Sequence, residues 1–477
     1  MIVIGSEREG EYLSSLQRGV SPIVENSGKS LASKVLTEAC PNCGVRLLSD
    51  GLEKFCPNCM MIVAVESGVA RVTGSVHKPN KPRSNEENEM QVLLRSALER
   101  GNLKLVHDSR LAAGLSDIVV ICVGTPVDSE RKPDLAALVS ATVEVGRGLR
   151  RGALVILKST VSPGTTEGTL APILERESGL RVGKDFGLAH VPETTLEGLA
   201  LLGYRTLPKT VGGIDEKSSK AAAEVFGLFN VPIHIFNSPR VTEAAKLFQN
   251  IYRDVNIALA NELALASESL GLDVSRVIEA SLTEPKTHLL TPGPGVGGYC
   301  LPKDTYYLTF PAQKAGFRPR LLSSARTVND GMPLHVVGLV KSAYSELRKR
   351  TAGSTVCVLG VAFKGNTSDT RDSPSLPVIR GLLRLGMRVR VQDPLADLDS
   401  IPVLRRTSLR SKTLRLAMEG AESLLVLTDH LEYRSLAASD LPRLGRKLRI
   451  VVDTRGLFEP SEVTKLGLVY RGVGRSP

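Results

Sequence analysis

The sequence predicts an α/β protein: two doubly wound parallel-sheet domains joined by a long central helix, with a zinc ribbon inserted into the first domain. Three observations carry that class. Short buried strand-like runs alternate with helical periodicity twice, across 117–157 and again from 354 onward. Between them, 242–270 runs 29 residues without Gly or Pro and meets Gly271, a helix stop. Residues 26–87 form a compositional island centred on C-P-N-C, twelve residues, C-P-N-C. The expected divisions are 1–25 with 88–213 for the first α/β domain, 26–87 for the ribbon and its linker, 214–335 for a central helical domain, and 336–477 for the second α/β domain.

In chain order, 1–5 reads as a short strand, and Ser6-Glu7 leads into an amphipathic segment that ends at Gly19. A dinucleotide-binding unit places a glycine-rich turn about 20 residues ahead of an acid at a strand's end. Nothing stands that far ahead of Glu7, so the first strand and its turn are expected to be missing, leaving strand edges open. Cys40, Cys43, Cys56 and Cys59 have the spacing of a structural Zn²⁺ site, whose four thiolates leave no open position. The polar stretch 77–88 reads as a linker, and helical periodicity resumes at 90–100.

DIVVICV (117–123) is a buried strand, 135–149 a helix and 153–157 the next strand. Each strand runs into small polar residues, Gly124-Thr125-Pro126 and then 159–165, at the crevice where doubly wound sheets hold ligands. Pro192-Glu193 follows a third strand. On the central helix Lys246 and Asn250 stand four apart on one face, with Asp254 and Asn261 near the same stripe. Such a stripe is ordinarily the solvent side, and a helix this long equally suits a subunit interface. The second sheet pattern has strands at 354–361, 388–392, 423–428 and 449–453 and a helix at 376–385. The loop after its first strand offers Lys364 and Arg371 to phosphate oxygens.

Composition narrows the function. No apolar run approaches the roughly 20 residues of a bilayer span, and no secretion signal opens the chain, so a cytoplasmic protein without membrane partners is expected. The net charge is +11, and from Lys341 onward 24 Lys/Arg face 14 Asp/Glu. A basic domain suits an anionic partner, either nucleic acid or a phosphorylated small molecule. The stretch 40–59 is neither basic nor aromatic, which disfavours nucleic acid. Cys122 and Cys357 lie in apolar strands as small buried hydrophobes.

Cys300 stands alone in PGPGVGGYCLPKD (292–304), among four glycines and three prolines. Gly and Pro at this density fix an irregular backbone that a ligand can approach closely. The thiol, with Lys303 as a nearby cation, reads either as a nucleophile or as part of a structural turn. The stretch 293–298 also spells G-x-G-x-x-G, but no strand-like run feeds it and no helix is expected after it.

Together these stretches resemble the nucleotide-sugar dehydrogenase family, the UDP-glucose/GDP-mannose dehydrogenases. The matching segments are VGTP (123–126), STVSPGTT (159–166), PE (192–193), EAAKLFQNIYRDVNIALANE (243–262), GPGVGGYCLPKD (293–304), ARTVND (325–330) and GVAFKGNTSDTRDSPS (360–375), in family order. The PGPGVGG and VNIALANE forms resemble the branch acting on UDP-N-acetylmannosamine or similar UDP-N-acetylhexosamines. Residues 3–25 resemble the family's second strand and the R-G-x-S-P-I-x-E segment after it, which places Glu7 at the ribose-binding acid. The missing glycine turn, the cysteine island and Thr194 after the PE pair depart from the family pattern.

The resemblance implies two Rossmann-like domains and oxidation of a UDP-sugar's primary alcohol to a carboxylate with two NAD⁺ in succession. Cys300 would form a thiohemiacetal and then a thioester. Lys246 and Asn250 would stabilise the developing oxyanion. Asp304 would orient or deprotonate water, with Glu193 assisting. Glu7, Thr125, Thr160, Lys303 and Arg371 would line the NAD site. Gly297 and Lys364, with Lys246 and Asn250, would contact the substrate. A homodimer or higher homo-oligomer is expected. The absent glycine turn leaves a second reading open: a catalytically impaired paralogue whose ribbon binds a partner.

Overall fold

The computed structural model describes residues 85–475 apart from 105 and 196–198, together with the backbone of five short N-terminal strands. The first α/β unit is a six-stranded sheet ordered Ile2–Ile4, Ile118–Ile121, Leu154–Leu157, Gly187–His190, Lys209–Gly213, Ile233–Phe236. The first four strands run parallel. Lys209–Gly213 turns antiparallel to Gly187–His190, and Ile233–Phe236 follows it in parallel. IVVI and LVIL are apolar throughout because both faces of the sheet are covered. Val119, Ile121, Val155 and Leu157 pack with Leu138, Val145 and Leu174 on one side. Val120, Leu154 and Ile156 pack with Ala222 and Phe226 on the other.

Ile2–Ile4 lies directly on Ile118–Ile121, Ile2 opposite Val119. In a 3-2-1-4-5-6 sheet that is the place of strand 1. The sequence reading put this segment one place further out, as the second strand. The backbone groups of Ile118–Ile121 need ladder partners, and the Ile-Val-Ile run supplies them. The sheet also continues through Ile233–Phe236, past residue 213.

The second α/β unit is all parallel, in the order Leu409–Ser411, Arg388–Gln392, Thr355–Leu359, Ser423–Val426, Ile450–Asp453, Val469–Gly472. In chain order this reads 3-2-1-4-5-6, a complete doubly wound sheet. Its outer strands carry Arg410 and Arg471 in short runs, so their apolar pattern was too weak to read.

Two long helices lie between the sheets, Pro239–Ser269 and Arg320–Glu346. Ser238 Oγ caps the first, with Pro239 in its first turn. The second has Gly331 and Pro333 inside it, which hid it in the sequence, and it runs across the 335/336 division. Its buried residues Met332, Val336, Val340 and Ala343 pack on the second sheet's Val356, Val358 and Leu425. A further helix, Leu301–Lys314, opens directly after Cys300. This corrects the reading that no helix follows the glycine loop. Pro302 falls in the first turn, where a missing N–H is no loss.

In the cysteine island, Leu48–Asp50, Glu53–Cys56, Met61–Glu66 and Val69–Ala70 form a small antiparallel sheet. Cys56 ends its strand opposite Met61. Cys40, Cys43 and Cys59, and likewise Glu7, lie outside the described residues. Among the described residues, no helix is long and apolar enough to cross a membrane.

Candidate active site

The polar stripe of the central helix faces inward rather than to solvent. Glu243, Asn250, Asp254 and Asn261 are all buried, and each has a partner on another element. Glu243 accepts the N–H groups of Gly164 (2.5 Å) and Thr166 (2.8 Å) and the Thr166 hydroxyl (2.6 Å). It thereby fastens the loop after Leu154–Leu157. Asn250 Nδ2 donates to Asp304 Oδ2 at 2.6 Å. Asp254 takes the Arg326 guanidinium at 2.7 Å and Asn329 Nδ2 at 2.9 Å. Asn261 donates to Asn329 (3.0 Å) and accepts the Gly293 N–H (2.9 Å), so it anchors the start of the cysteine loop. Arg326 and Asn329 explain the ARTVND segment, which the sequence reading left without roles.

Cys300 is solvent-exposed at the start of Leu301–Lys314. The helix N-terminus favours a thiolate there. Lys303, read from sequence as the cation beside the thiol, is instead committed to its neighbour: its ammonium meets Asp304 Oδ1 at 2.8 Å and lies over the Tyr299 and Tyr307 rings. Lys246 and Arg253 are two cations whose fields couple to Cys300. Burial pushes the Lys246 ammonium below its usual range, while Cys300, Asp304 and Glu193 pull the other way. Burial likewise lowers Arg253. Lys246 thus lies within electrostatic reach of Cys300 and Asp304, and Asn250 bonds that same Asp304. Arg253 was missed, although it lies one helical repeat beyond Lys246.

Glu193 is saturated with donors. Oε1 takes the Thr195 N–H at 2.6 Å and the Thr195 hydroxyl. Oε2 takes the Tyr204 hydroxyl at 2.9 Å and pairs with Lys158 at 3.3 Å. Burial raises this carboxyl, but Lys158, Thr195 and Tyr204 outweigh it and leave it below the usual range. Such a group is a weak base and a firm negative charge. Lys158 is the residue just before the matched STVSPGTT segment, one place beyond its reach. Lys209 is buried close by, bonded to Thr194 Oγ1 at 3.2 Å, and burial together with Lys158 pushes it down to about 8.

At the ends of the first sheet's strands, Thr125 Oγ1 donates to the Thr160 carbonyl at 2.8 Å and ties two neighbouring strand-end loops together. The Tyr307 hydroxyl donates to the Pro126 carbonyl at 2.9 Å and links that corner to the cysteine helix. On the far side, Arg371 lies over the Tyr299 ring at 5.3 Å, held by Asp369 at 2.9 Å. Lys364 is half-buried in the same loop. The cysteine loop's glycines are required by this second domain. A Cβ on Gly297 would stand 2.7 Å from both the Asp372 carbonyl and Phe363 Cβ, and Gly298 has φ +87° against the Phe363 ring. Their close approach, expected toward a ligand, is on this side toward protein. Cys357 is buried as predicted, its thiol pushed up to about 12 by burial, whereas Cys122 is half-buried.

Sequence profiles of three domains of one family match the chain in order: the NAD binding domain at 61–230, the central domain at 240–331 and the UDP binding domain at 357–460. The chain belongs to the UDP-glucose/GDP-mannose dehydrogenase family. The UDP-N-acetyl-D-mannosamine dehydrogenase of Pyrococcus horikoshii is 35% identical over 417 residues, which is 87% of this chain and 91% of that one. The UDP-N-acetyl-D-glucosamine 6-dehydrogenase of Pseudomonas aeruginosa is 31% identical over 346 residues, 72% and 81% of the two chains. The solved structure of a UDP-D-ManNAc dehydrogenase from Pyrococcus horikoshii superposes with a TM-score of 0.73 at 35% identity, covering 81% of this chain and 88% of that chain.

Proposed function

We propose that this dehydrogenase-family chain oxidises the C6 primary alcohol of a UDP-sugar, UDP-N-acetylmannosamine or a related UDP-hexose, to the uronic acid through Cys300. The observation that carries it is the convergence of an exposed thiol at a helix N-terminus with Lys246 and the Asn250–Asp304 pair. The relatives named for acting on UDP-N-acetylhexosamines support the substrate class. NAD suits the crevice beyond Ile118–Ile121 and Leu154–Leu157, where the bonded Thr125 and Thr160 present a polar edge, and when bound it would take up hydride. Lys303, buried against Asp304, is better placed to hold that acid than to reach a cofactor.

The chain's own groups divide the work. Lys246 would balance the alkoxide as the alcohol proton passes to water, and loss of a first hydride would leave the aldehyde. The Cys300 thiolate would add to the aldehyde carbon, and Lys246 with Asn250 would hold the oxyanion of the thiohemiacetal. Loss of a second hydride from that carbon leaves a thioester. Water oriented by Asp304 would cleave it, returning the thiol and releasing the carboxylate. Glu193, with its lone pairs occupied, would act as a fixed counter-charge for Lys246 more than as the base for that water. Lys364 and Arg371 would face the UDP-sugar's nucleotide, which moves Arg371 from the NAD site where the resemblance put it to the second domain's loop, where it lies over Tyr299. The central helix leaves Phe248, Tyr252 and Leu259 exposed, a face suited to a homodimer. The four ribbon cysteines would hold one structural Zn²⁺, measurable as about one equivalent by metal analysis.

The test is NAD⁺ reduction with a panel of UDP-sugars, comparing wild type with Cys300→Ser. Wild type should release two NADH per acid formed, and Cys300→Ser should form no acid. Acid formation by Cys300→Ser at the wild-type rate would overturn the covalent route.

A further inference from the structure

The second sheet contains a fully buried Asp–His pair that the chemistry above does not use. Asp393 follows strand Arg388–Gln392, and His430 lies beyond Ser423–Val426; they are 0% and 1% exposed. His430 Nδ1 accepts the Asn366 N–H at 3.0 Å, so its proton sits on Nε2, which donates to Asp393 Oδ2 at 3.2 Å. Asp393 Oδ2 also accepts the N–H groups of Val361 (2.8 Å) and Ala362 (3.2 Å). Its Oδ1 accepts Leu395 (2.9 Å) and Ala396 (2.8 Å). Burial works against the carboxylate, but these bonds and His430 hold it down to about 2.

In a 3-2-1-4-5-6 sheet the acid after strand 2 is where a dinucleotide's ribose is gripped. Here both oxygens are spent on the protein's own backbone. The pair instead clamps the first turn of the loop after Thr355–Leu359 at residues 361, 362 and 366. The same loop reaches the catalytic loop by two routes. Phe363 packs against Gly297 and Gly298, and the Arg371 carbonyl accepts the Gly298 N–H at 3.0 Å, two residues before Cys300.

We propose that His430 and Asp393 are positioning residues for the nucleotide end of the substrate, holding the loop that carries Phe363, Lys364 and Arg371 in its binding geometry. The pair takes no part in the chemistry at Cys300. This rests on the UDP-sugar reading above. Because the clamp acts on backbone N–H groups, a side chain that accepts and donates at similar reach should replace His430, whereas an apolar one should not.

The experiment is calorimetric titration of the full-length enzyme with UDP, together with KM and kcat for the UDP-sugar and KM for NAD⁺. The variants are His430→Leu, His430→Gln and Asp393→Asn. His430→Leu should lose about tenfold or more in UDP affinity, the scale of unmade buried hydrogen bonds. Its UDP-sugar KM should rise in step, while kcat at saturation and the NAD⁺ KM stay within about twofold, and His430→Gln should recover most of the loss. Should His430→Leu fail to fold, Asp393→Asn keeps the volume and carries the same test. UDP affinity unchanged in folded His430→Leu and Asp393→Asn would overturn the inference and leave the UDP-sugar reading standing. Equal weakening toward UDP and NAD⁺ would also overturn it, as a merely structural effect. Wild type that fails to bind UDP would remove the UDP-sugar reading and this inference with it.

Discussion

The two α/β halves secure their strand-end loops from opposite sides. In the second half, residues 361–366 are held by Asp393 and His430 of the same sheet. In the first half, residues 164–166 are held by Glu243 of the central helix, and the Thr125 corner is tied to Tyr307 of the cysteine helix. One loop is therefore preassembled within its own domain, and the other takes its geometry from the helices that carry Lys246, Asn250 and Cys300. On the proposed function, the difference separates grip from chemistry. Disturbing the second half should alter nucleotide affinity, whereas disturbing the first half should reach the reacting carbon.

The largest expected effect tests that separation. Lys246→Ala should lower kcat by about 100- to 1,000-fold, the usual cost of an oxyanion donor, with UDP affinity unchanged by calorimetry. A parallel loss of UDP affinity would break the comparison, and near wild-type turnover would remove Lys246 from its role. Glu243→Ala comes next. It leaves a buried and a part-buried N–H group and a hydroxyl without their acceptor, at up to about 1–3 kcal/mol each before relaxation. Denaturant unfolding should show that loss, and the NAD⁺ KM should rise more than the UDP-sugar KM. The reverse order would mean that the 159–166 loop serves the nucleotide side.

The third expected effect is a pH slope specific to the first half. His190 is fully buried, and burial pushes its imidazole from 6.5 down to about 3. Its Nδ1 is bonded to Thr242 at 2.9 Å. The folded state therefore holds it neutral while the unfolded chain takes up a proton below about 6.5. Its contribution to stability is complete above that pH and is lost progressively as pH falls toward 3, at up to about 1.4 kcal/mol per unit. Unfolding free energies measured from pH 7 to 4 should show a shallower slope in His190→Gln. An identical slope would place the acid sensitivity elsewhere.

Much of this was legible in one dimension. The buried strands around 118–121, 154–157 and 355–359 announced themselves as apolar runs because a parallel sheet covered on both faces has no reason to alternate. The helix around Lys246 was legible as a run free of Gly and Pro. Helix Arg320–Glu346 was hidden by its own Gly331 and Pro333, which burial tolerates and local propensity does not. Lys158, Arg253 and Tyr204 were unreadable as site residues, since nothing in their spacing distinguishes a buried cation or phenol at the centre from a surface one.

The sequence by itself determined the class of the molecule, because periodicity is a local property of the chain. It also nominated Cys300, Lys246 and Asn250 as candidate reactive groups, because the motifs around them are contiguous. Only the tertiary structure decided which cations are brought near the thiol, which face of the central helix is buried, and what Gly297 and Gly298 are glycines for. Those answers depend on contacts between residues more than 50 positions apart, Asn250 with Asp304 and Gly298 with Phe363. Such pairings are set by how the helices and sheets pack, and no local pattern encodes them.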